Sequence, residues 1–291
     1  MHEPHWQATP AGPTPKRLVL FGGGPRPPQA MKQFVSWAGG TNARIVVITW
    51  AAQEPALAHA ALASDLALWD PAEIRDAPLS PRRPQARAEL VHALSTATGV
   101  FFSGGDQNRI MDVLGDPELL TLMRQRYAAG VTFGGTSAGT AVMSSVMISG
   151  DGDPSLLCAR QGVTTRGGLG LLPGCVVDQH FLKRRRQNRL FGLVLEHEHL
   201  LGVGVDEGTA LAITDDRHAR VVGPERVMVV DAQKHPGSLL VDLLRPGDRY
   251  DLRARHRVAS AVQHRQHGHN HGVEHVPLEA PPPVLELEVD S

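Results

Sequence analysis

Residues 131–140 read Val-Thr-Phe-Gly-Gly-Thr-Ser-Ala-Gly-Thr. The apolar residues 131–133 predict a short buried strand, and a helix-like segment follows at 140–145. A serine between two glycines at such a strand-to-helix turn is typical of a nucleophile elbow, because glycine lets the backbone turn sharply without a Cβ clash. The alternative is a glycine-rich turn whose serine only caps the helix. The motif therefore makes Ser137 a candidate nucleophile.

Apolar segments and helical periodicities alternate on the N-terminal side of this motif. Such βα alternation predicts an α/β fold with a mostly parallel central sheet and helices on both faces. The predicted strands cover residues 17–21, 44–49, 99–102 and 131–133, and the predicted helices cover residues 56–63, 85–94, 107–114 and 118–129.

The pattern changes after Gly202, where short apolar segments are separated by turn residues. This spacing predicts a β-rich, partly antiparallel C-terminal part of the same domain. We expect a disordered lead-in at 1–16, a single α/β domain at 17–255 and a mostly flexible His- and Pro-rich tail at 256–291, with an optional strand at 284–289. The C-terminal strand predictions are 203–205, 211–214, 220–222 and 227–230.

The composition excludes several classes of partner. The formal net charge is −1, which provides no global field for nucleic acid or an anionic membrane. The chain lacks both a basic, apolar leader and an apolar run of the roughly 18 residues that a membrane span needs. Only Cys158 and Cys175 occur, which favours a reducing compartment and two small core residues. These features predict a cytoplasmic protein without nucleic-acid or membrane partners.

A serine hydroxyl needs a base and an acid that orients this base. His180 follows the apolar residues 175–177 and is the best-placed base, although a histidine with a purely structural hydrogen bond is the alternative. The acid is either Glu207 or Asp206, which follow the predicted strand 202–205. Asp151 and Asp153, in a glycine-rich loop, are weaker candidates. The order serine, histidine, acid differs from that of ordinary α/β-hydrolases, so the scaffold must be another one.

An oxyanion hole needs two backbone donors, of which one is the amide after the nucleophile. The turn Gly104-Gly105 at the end of strand 99–102 provides a suitable second donor. We therefore assign the oxyanion hole to the amides of Gly105 and Ala138; the alternative is that the two glycines form only a turn. The glycines at 22–24 lack the remainder of a P-loop and are interpreted as a strand-end turn at the border of the active site.

Four segments together resemble one family, and their joint order and spacing are highly specific. The chain resembles the cyanophycinases, serine peptidases related to aspartyl dipeptidase that have a class I glutamine-amidotransferase-like fold. The resemblance covers about residues 17–252, and Ser137 stands where the amidotransferases have a cysteine. The segments are Phe-Ser-Gly-Gly-Asp-Gln at 102–107, Gly-Gly-Thr-Ser-Ala-Gly at 134–139, Asp-Gln-His-Phe at 178–181 with its arginine run, and Val-Asp-Glu-Gly-Thr-Ala at 205–210.

The resemblance implies roles for individual residues. Ser137 is the nucleophile, His180 the base and Glu207 the residue that orients the imidazole. It implies cleavage of cyanophycin, a poly-aspartate backbone with arginine on its side-chain carboxylates, to β-Asp-Arg dipeptides through an acyl-enzyme, and a homodimer. The guanidinium groups can pair with substrate carboxylates. The implied substrate-binding residues are Gln107, Asp178, Gln179, Arg184, Arg186 and Arg189.

Some features depart from the family and keep alternatives open. Gly-Pro-Arg-Pro-Pro at 24–28 replaces an acidic segment that often follows the first glycines of cyanophycinases, so the substrate is less defined than the chemistry. The alternatives are an aspartyl dipeptidase-like enzyme for other short or β-linked aspartyl peptides and a non-catalytic binding protein. We predict no metal and no organic cofactor. The tail histidines are interpreted as adventitious ligands: His264, His267, His269, His271 and His275.

Overall fold

The computed structural model of the protein describes residues 14–150, 163–233 and 237–259. Strands and helices alternate in the N-terminal half, as the sequence periodicity predicts. The strands are β1 (Arg17–Phe21), β2 (Arg44–Ile48), β3 (Glu73–Asp76), β4 (Gly99–Phe102) and β5 (Thr132–Thr136). The helices are α1 (Pro28–Trp37), α2 (Pro55–Ala67), α3 (Pro84–Thr96), α4 (Gln107–Leu114), α5 (Pro117–Ala128) and α6 (Ala138–Ala141), with a short 3₁₀ helix at Gly40–Asn42.

The C-terminal half is rich in short strands, which confirms the predicted change of pattern. One longer helix interrupts them, α7 (Gln187–Glu196). The strands are β6 (Val146–Ile148), β7 (Thr165–Gly167), β8 (Cys175–Gln179), β9 (Leu201–Val205), β10 (Ala210–Thr214), β11 (His218–Val222), β12 (Val227–Asp231), β13 (Leu240–Leu244), β14 (Arg249–Asp251) and β15 (His256–Val258).

Two sheets organise the described residues. The larger has nine strands in the order β15-β14-β11-β10-β1-β5-β4-β2-β3. Five neighbouring strands are parallel: β1, β5, β4, β2 and β3. Antiparallel pairing extends the sheet beyond β1 through β10, β11, β14 and β15. A four-stranded sheet has the order β13-β12-β9-β8, in which β8 and β9 are parallel, and β6 pairs with β7 separately.

The side-chain alternation of β1 explains why helices cover both faces of the larger sheet. Leu18 and Leu20 point into the core shared with α3, α4 and α5, whereas Val19 and Phe21 point into the core shared with α1 and α2. The four-stranded sheet packs into the first of these cores, and α7 covers its outer face. The predicted two-sided α/β architecture is confirmed.

Two parallel strand pairs bring distant residues together, because the carboxyl ends of parallel strands share one edge of a sheet. Phe21 of β1 lies opposite Thr136 of β5, so the residues after these strands are neighbours. Gln179 of β8 lies opposite Val205 of β9. The amide of His180 donates to the carbonyl of Gly22 at 2.6 Å, which joins the two edges.

The structure differs from the sequence expectations at two elements. The helix expected at 140–145 is α6 and ends at Ala141, because Ser144 leaves the helical path to form a β-bridge with Leu172. Strand pairing continues past residue 255, the predicted end of the domain, since His256–Val258 pairs with β14. The predicted lead-in and tail lie almost wholly outside the described residues, and so do Cys158, the tail histidines and the segment 284–289 for which a strand was predicted. No helix among the described residues is both long and apolar enough for a bilayer.

Two glycines allow α6 to approach the parallel strands closely. A Cβ at Gly139 would lie 2.4 Å from the carbonyl oxygen of Phe102 in β4. A Cβ at Gly135 would lie 2.2 Å from the carbonyl oxygen of Gly139. Both distances are far below van der Waals contact with backbone atoms that cannot move aside easily. The backbone around Ser137 can therefore follow this path only with glycine at these positions.

We predict that Gly139→Ala lowers both stability and any activity that depends on Ser137, because the methyl group forces α6 away from β4. The expected loss is about 1–3 kcal/mol in the free energy of unfolding, measured by urea denaturation. The matched control is Gly167→Ala in β7, where a Cβ would meet nothing within 4 Å. Equal stability of the two variants would contradict the close-approach argument.

Candidate active site

Ser137 occupies a sharp corner between β5 and α6. Its backbone has φ 53° and ψ −113°, a conformation that a residue with a side chain rarely adopts. The Ser137 amide donates to the carbonyl of Phe21 at 3.1 Å, which fixes the corner to β1. The hydroxyl of Thr140, whose side chain is fully buried, lies 2.6 Å from the Gly135 carbonyl and 2.7 Å from that of Phe21. These contacts hold the corner in a strained conformation typical of a nucleophile elbow.

The structure brings the three predicted catalytic side chains into one hydrogen-bonded line. Ser137 Oγ lies 2.7 Å from His180 Nε2, and His180 Nδ1 lies 2.5 Å from Glu207 Oε1. With a carboxylate at Nδ1, the imidazole carries its proton there and presents Nε2 as the acceptor for the serine hydroxyl. The arrangement can activate an alcohol for attack on a carbonyl group.

The two neighbouring acids have different contacts. Glu207 reaches the imidazole, whereas Asp206 Oδ1 accepts hydrogen bonds from the backbone amides of Lys183 and Glu207. The alternating side-chain directions at the end of β9 explain the difference. Asp151 and Asp153 lie outside the described residues.

The glycines after β1 border the site, as the sequence analysis predicts for a strand-end turn. A Cβ at Gly23, where φ is +100°, would lie 2.2 Å from the His180 ring. A Cβ at Gly24, where φ is +64°, would lie 3.1 Å from a carboxylate oxygen of Glu207. These glycines therefore leave the space that the imidazole and the carboxylate occupy.

Of the two predicted oxyanion donors, Ala138 follows Ser137 in the chain, and Gly105 belongs to a turn that contacts it. A Cβ at Gly104 would lie 3.4 Å from Ser137 Cβ, so the turn after β4 lies directly against the corner. Gly105 has φ +134°, and a Cβ there would lie 2.0 Å from the carbonyl oxygen of Ala51, so this position requires glycine. Within the described part of the chain, the amides of Gly105 and Ala138 donate no backbone hydrogen bond. Their assignment as oxyanion donors stays a prediction.

The surroundings of His180 lower its pKa and thereby favour the neutral imidazole. Burial lowers the pKa of His180 below its ordinary value, and the positive charge of Arg184 lowers it further, against the hydrogen bond to Glu207, which raises it. The hydrogen bond to His180 lowers the pKa of Glu207, so this acid is ionised. A neutral imidazole beside an ionised carboxylate is the state that a general base requires.

The arginines among the six residues implied as substrate-binding differ in their partners and in their exposure. Arg189 is a buried part of α7 and pairs through two nitrogens with the buried carboxylate of Asp178, with 2.7 Å between Nε and Oδ2. Arg186 lies 2.9 Å from both the backbone and the side-chain oxygen of Gln179. Exposed fractions of the arginine side chains are 4% for Arg189, 14% for Arg186 and 54% for Arg184, so only the last is widely open to a ligand.

Gln107 belongs to the first turn of α4, near the loop that follows β6. Its side-chain amide donates to the carbonyl of Ile148 at 2.9 Å. Thus Gln107 connects the start of α4 to the end of β6. Substrate binding by the implied residues stays a prediction.

The Pro-Arg segment that departs from the family lines a cavity of 560 Å³ next to Glu207. Arg26 lies in this wall, and its guanidinium pairs with Asp65 at 2.5 Å. Its charge is therefore neutralised by a partner in α2. Glu225 and Lys183 line the same cavity.

Two further features were outside the sequence predictions or only partly covered by them. Thr140 was expected only at the start of a helix, and no sequence pattern indicated that its hydroxyl would contact the carbonyls of Gly135 and Phe21. Cys175 is a free, buried core residue, as predicted, and burial raises the pKa of its thiol to about 12. Among the described residues, no cluster of His, Cys, Asp and Glu fits a metal ion.

Comparisons with known proteins agree with this geometry. The model of "Peptidase family S51" matches residues 18–221. A cyanophycinase of Geminocystis herdmanii is 32% identical over 251 residues, which cover 81% of this chain and 92% of that protein. A cyanophycinase of Synechococcus elongatus is 36% identical over 248 residues, with 82% and 76% covered.

A solved structure supports the fold independently. The crystal structure of a peptidase from an acI-B1 Actinobacterium superposes with a TM-score of 0.62 at 22% sequence identity. The match covers 81% of this chain and 96% of that one. The α/β scaffold is therefore that of a known peptidase structure.

We predict that Arg184→Gln moves the acid limb of the pH profile to higher pH. His180 must be neutral to act as a base, so reactivity falls as the pH drops through its pKa, which lies below about 6.5. Removing the nearby cation makes the imidazolium less unfavourable and raises this pKa. The measurement is the rate of covalent labelling of Ser137 by a fluorophosphonate as a function of pH. Arg185→Gln, which removes an exposed neighbouring arginine, should leave the limb in place; an equal shift would contradict the argument.

A second prediction concerns Arg189. Arg189→Ala leaves the Asp178 carboxylate buried without its bidentate partner, which should lower the free energy of unfolding by about 3–5 kcal/mol. Arg184→Ala, at an exposed position, should change it by less than about 0.5 kcal/mol. Urea denaturation measures both. A small effect at Arg189 would show that the buried pair contributes little to the fold.

Proposed function

Because the chain belongs to peptidase family S51, we propose that it is a serine peptidase that hydrolyses cyanophycin to β-Asp-Arg dipeptides. The hydrogen-bonded line from Ser137 through His180 to Glu207 is the observation that carries the proposal. The relatives named cyanophycinase support the substrate, since their similarity extends over about four-fifths of this chain.

The first half of the reaction forms an acyl-enzyme. Ser137 Oγ attacks a backbone carbonyl carbon of the aspartate chain while His180 Nε2 takes the hydroxyl proton. The amides of Gly105 and Ala138 stabilise the negative charge that develops on the carbonyl oxygen. Glu207 stabilises the imidazolium that forms. When the C–N bond breaks, His180 gives its proton to the leaving amine.

The second half releases the product by the same groups. Water attacks the ester carbon, and His180 takes a proton from that water. Collapse of the tetrahedral intermediate breaks the bond to Ser137 Oγ, which recovers its proton from the imidazole. A free carboxylic acid leaves, and the enzyme returns to its starting state.

We propose that one arginine contacts the substrate directly, and that a group of mutually bonded side chains maintains the shape of the site next to His180. Arg184 is exposed close to Glu207, with 3.9 Å between Nε and Oε1, and its guanidinium suits a substrate carboxylate. Asp178, Gln179, Arg186 and Arg189 bond to one another, so they keep the shape of the wall next to His180. Gln107 is bonded to the carbonyl of Ile148 and is proposed as a further substrate contact.

Because Arg26 is paired with Asp65, its presence in the cavity wall is compatible with cyanophycin as the substrate. An unpaired arginine beside the triad would repel the arginine groups of this substrate. Because Arg26 pairs with Asp65, the departure from the family's acidic segment does not add a free cation to the cavity. The carboxylate of Glu225 lies on the same cavity wall.

Location and assembly are also proposals. We propose a cytoplasmic enzyme, which the small number of cysteines and the buried free thiol of Cys175 support. A homodimer rests on the family resemblance. Light scattering of the purified protein tests the dimer, and cell fractionation tests the location.

Ser137→Ala should abolish the release of β-Asp-Arg from cyanophycin, lowering the rate by about 10,000-fold or more, because the nucleophile is lost. Mass spectrometry of the products measures this release and compares it with hydrolysis of short Asp-X peptides. Ser145→Ala, an exposed serine that follows α6, is the matched control and should remain active.

Three results would contradict parts of the proposal. Turnover by purified Ser137→Ala would overturn the nucleophile. Hydrolysis of short aspartyl peptides without attack on cyanophycin would favour the dipeptidase. Absence of fluorophosphonate labelling in the folded wild-type protein would favour a binding protein.

A further inference from the structure

Asp206 connects the two segments that carry the acid and the base. It follows β9, and only 8% of the residue is exposed. Its Oδ1 accepts a hydrogen bond from the Glu207 amide at 2.9 Å and another from the Lys183 amide at 3.0 Å. One carboxylate oxygen thereby joins the backbone of the triad acid to Lys183, which lies 23 positions before Asp206.

Lys183 belongs to the turn that begins at the catalytic histidine. The Arg184 amide donates to the His180 carbonyl at 2.9 Å, and the Arg186 amide donates to the carbonyl of Phe181 at 2.9 Å. His180 itself has φ 50°, an unfavourable backbone conformation that this turn has to maintain. Fixing the Lys183 amide therefore restrains the backbone that orients the imidazole.

The strength of these bonds makes Asp206 suited to this task. A carboxylate that accepts backbone N–H groups forms charge-assisted hydrogen bonds, which are stronger than neutral ones. The Asp206 amide also donates to the carbonyl of Arg226 at 3.2 Å, which anchors the residue to the segment before β12. The backbone of Asp206 is thus attached to the four-stranded sheet, of which β12 is a strand.

We infer that Asp206 is a positioning residue for the triad: its carboxylate holds the Glu207 backbone and the His180 turn at a fixed separation. The inference rests on the proposed function. Asp206 acts through backbone amides, so it orients the imidazole and its acid partner without taking part in the proton transfer.

Asp206→Ala tests this role, and the chain provides a matched control in Asp251. Asp251 is 4% exposed, and its Oδ1 accepts from the amides of Arg253 and Ala254 at 3.1 and 2.9 Å. It is a buried aspartate outside the triad segments that likewise accepts two backbone amides through one oxygen, while its Oδ2 pairs with Arg217 at 2.7 Å. The measurements are the rate of fluorophosphonate labelling of Ser137 across pH, kcat and KM on cyanophycin, and the urea midpoint of unfolding.

Asp206→Ala should lower the labelling rate and kcat by about 10- to 100-fold, because small misplacements of catalytic groups have effects of this size. KM should stay within about threefold. The acid limb should move to lower pH, since the hydrogen bond that His180 Nδ1 donates to Glu207, which raises the pKa of His180, is weakened. Asp206→Asn keeps an acceptor oxygen and should recover most of the rate. Asp251→Ala should lower the urea midpoint but retain wild-type labelling.

Several outcomes would overturn the inference. These are labelling of Asp206→Ala within twofold of the wild-type rate, an Asn variant as slow as the Ala variant, or an equal loss in Asp251→Ala. If Asp206→Ala does not fold, Asp206→Ser decides, because its shorter side chain cannot reach the Lys183 amide; wild-type labelling in that variant would overturn the inference. An unlabelled wild-type protein would instead overturn the proposed function, and the inference with it.

Discussion

The register of two parallel strand pairs is the constraint on which the site depends. Opposition of Phe21 and Thr136 fixes Ser137 beside the end of β1, and opposition of Gln179 and Val205 fixes the base beside its acid. The bond from the His180 amide to the Gly22 carbonyl then joins one pair to the other. A shift of either pair by one residue would exchange the faces on which these side chains lie. The catalytic geometry is thus a direct consequence of sheet topology.

Strain and close packing are concentrated where these edges meet. Ser137 and His180 both adopt positive φ, and glycines occupy the positions where the backbone or a catalytic side chain approaches most closely. Such conformations persist only when the surrounding structure determines them. Thr140 does this for the serine corner, and the turn after β8 does it for the histidine.

Much of the fold and the order of the candidate catalytic residues could be predicted from local patterns. Helix α4 has the predicted bounds. The serine, the histidine and the acid each follow a strand that a local run of apolar residues predicts. The length of α6 could not be predicted. The helix ends at Ala141, and Ser144 then pairs with Leu172, a residue 28 positions later. The choice between Asp206 and Glu207 depends on side-chain direction at a strand end. The burial of Arg189 depends on a partner, Asp178, that a sequence pattern does not reveal.

The triad is assembled from both sheets, with the alcohol on the larger one and the imidazole and its acid on the smaller one. Proteins open locally in cooperative units whose free energies are smaller than that of global unfolding. A fluctuation that separates the smaller sheet from the larger would disconnect the imidazole from the alcohol while leaving the nine strands paired. Any activity that depends on the contact between Ser137 and His180 therefore requires the two sheets to stay packed together. Such activity can be lost before the secondary structure is lost.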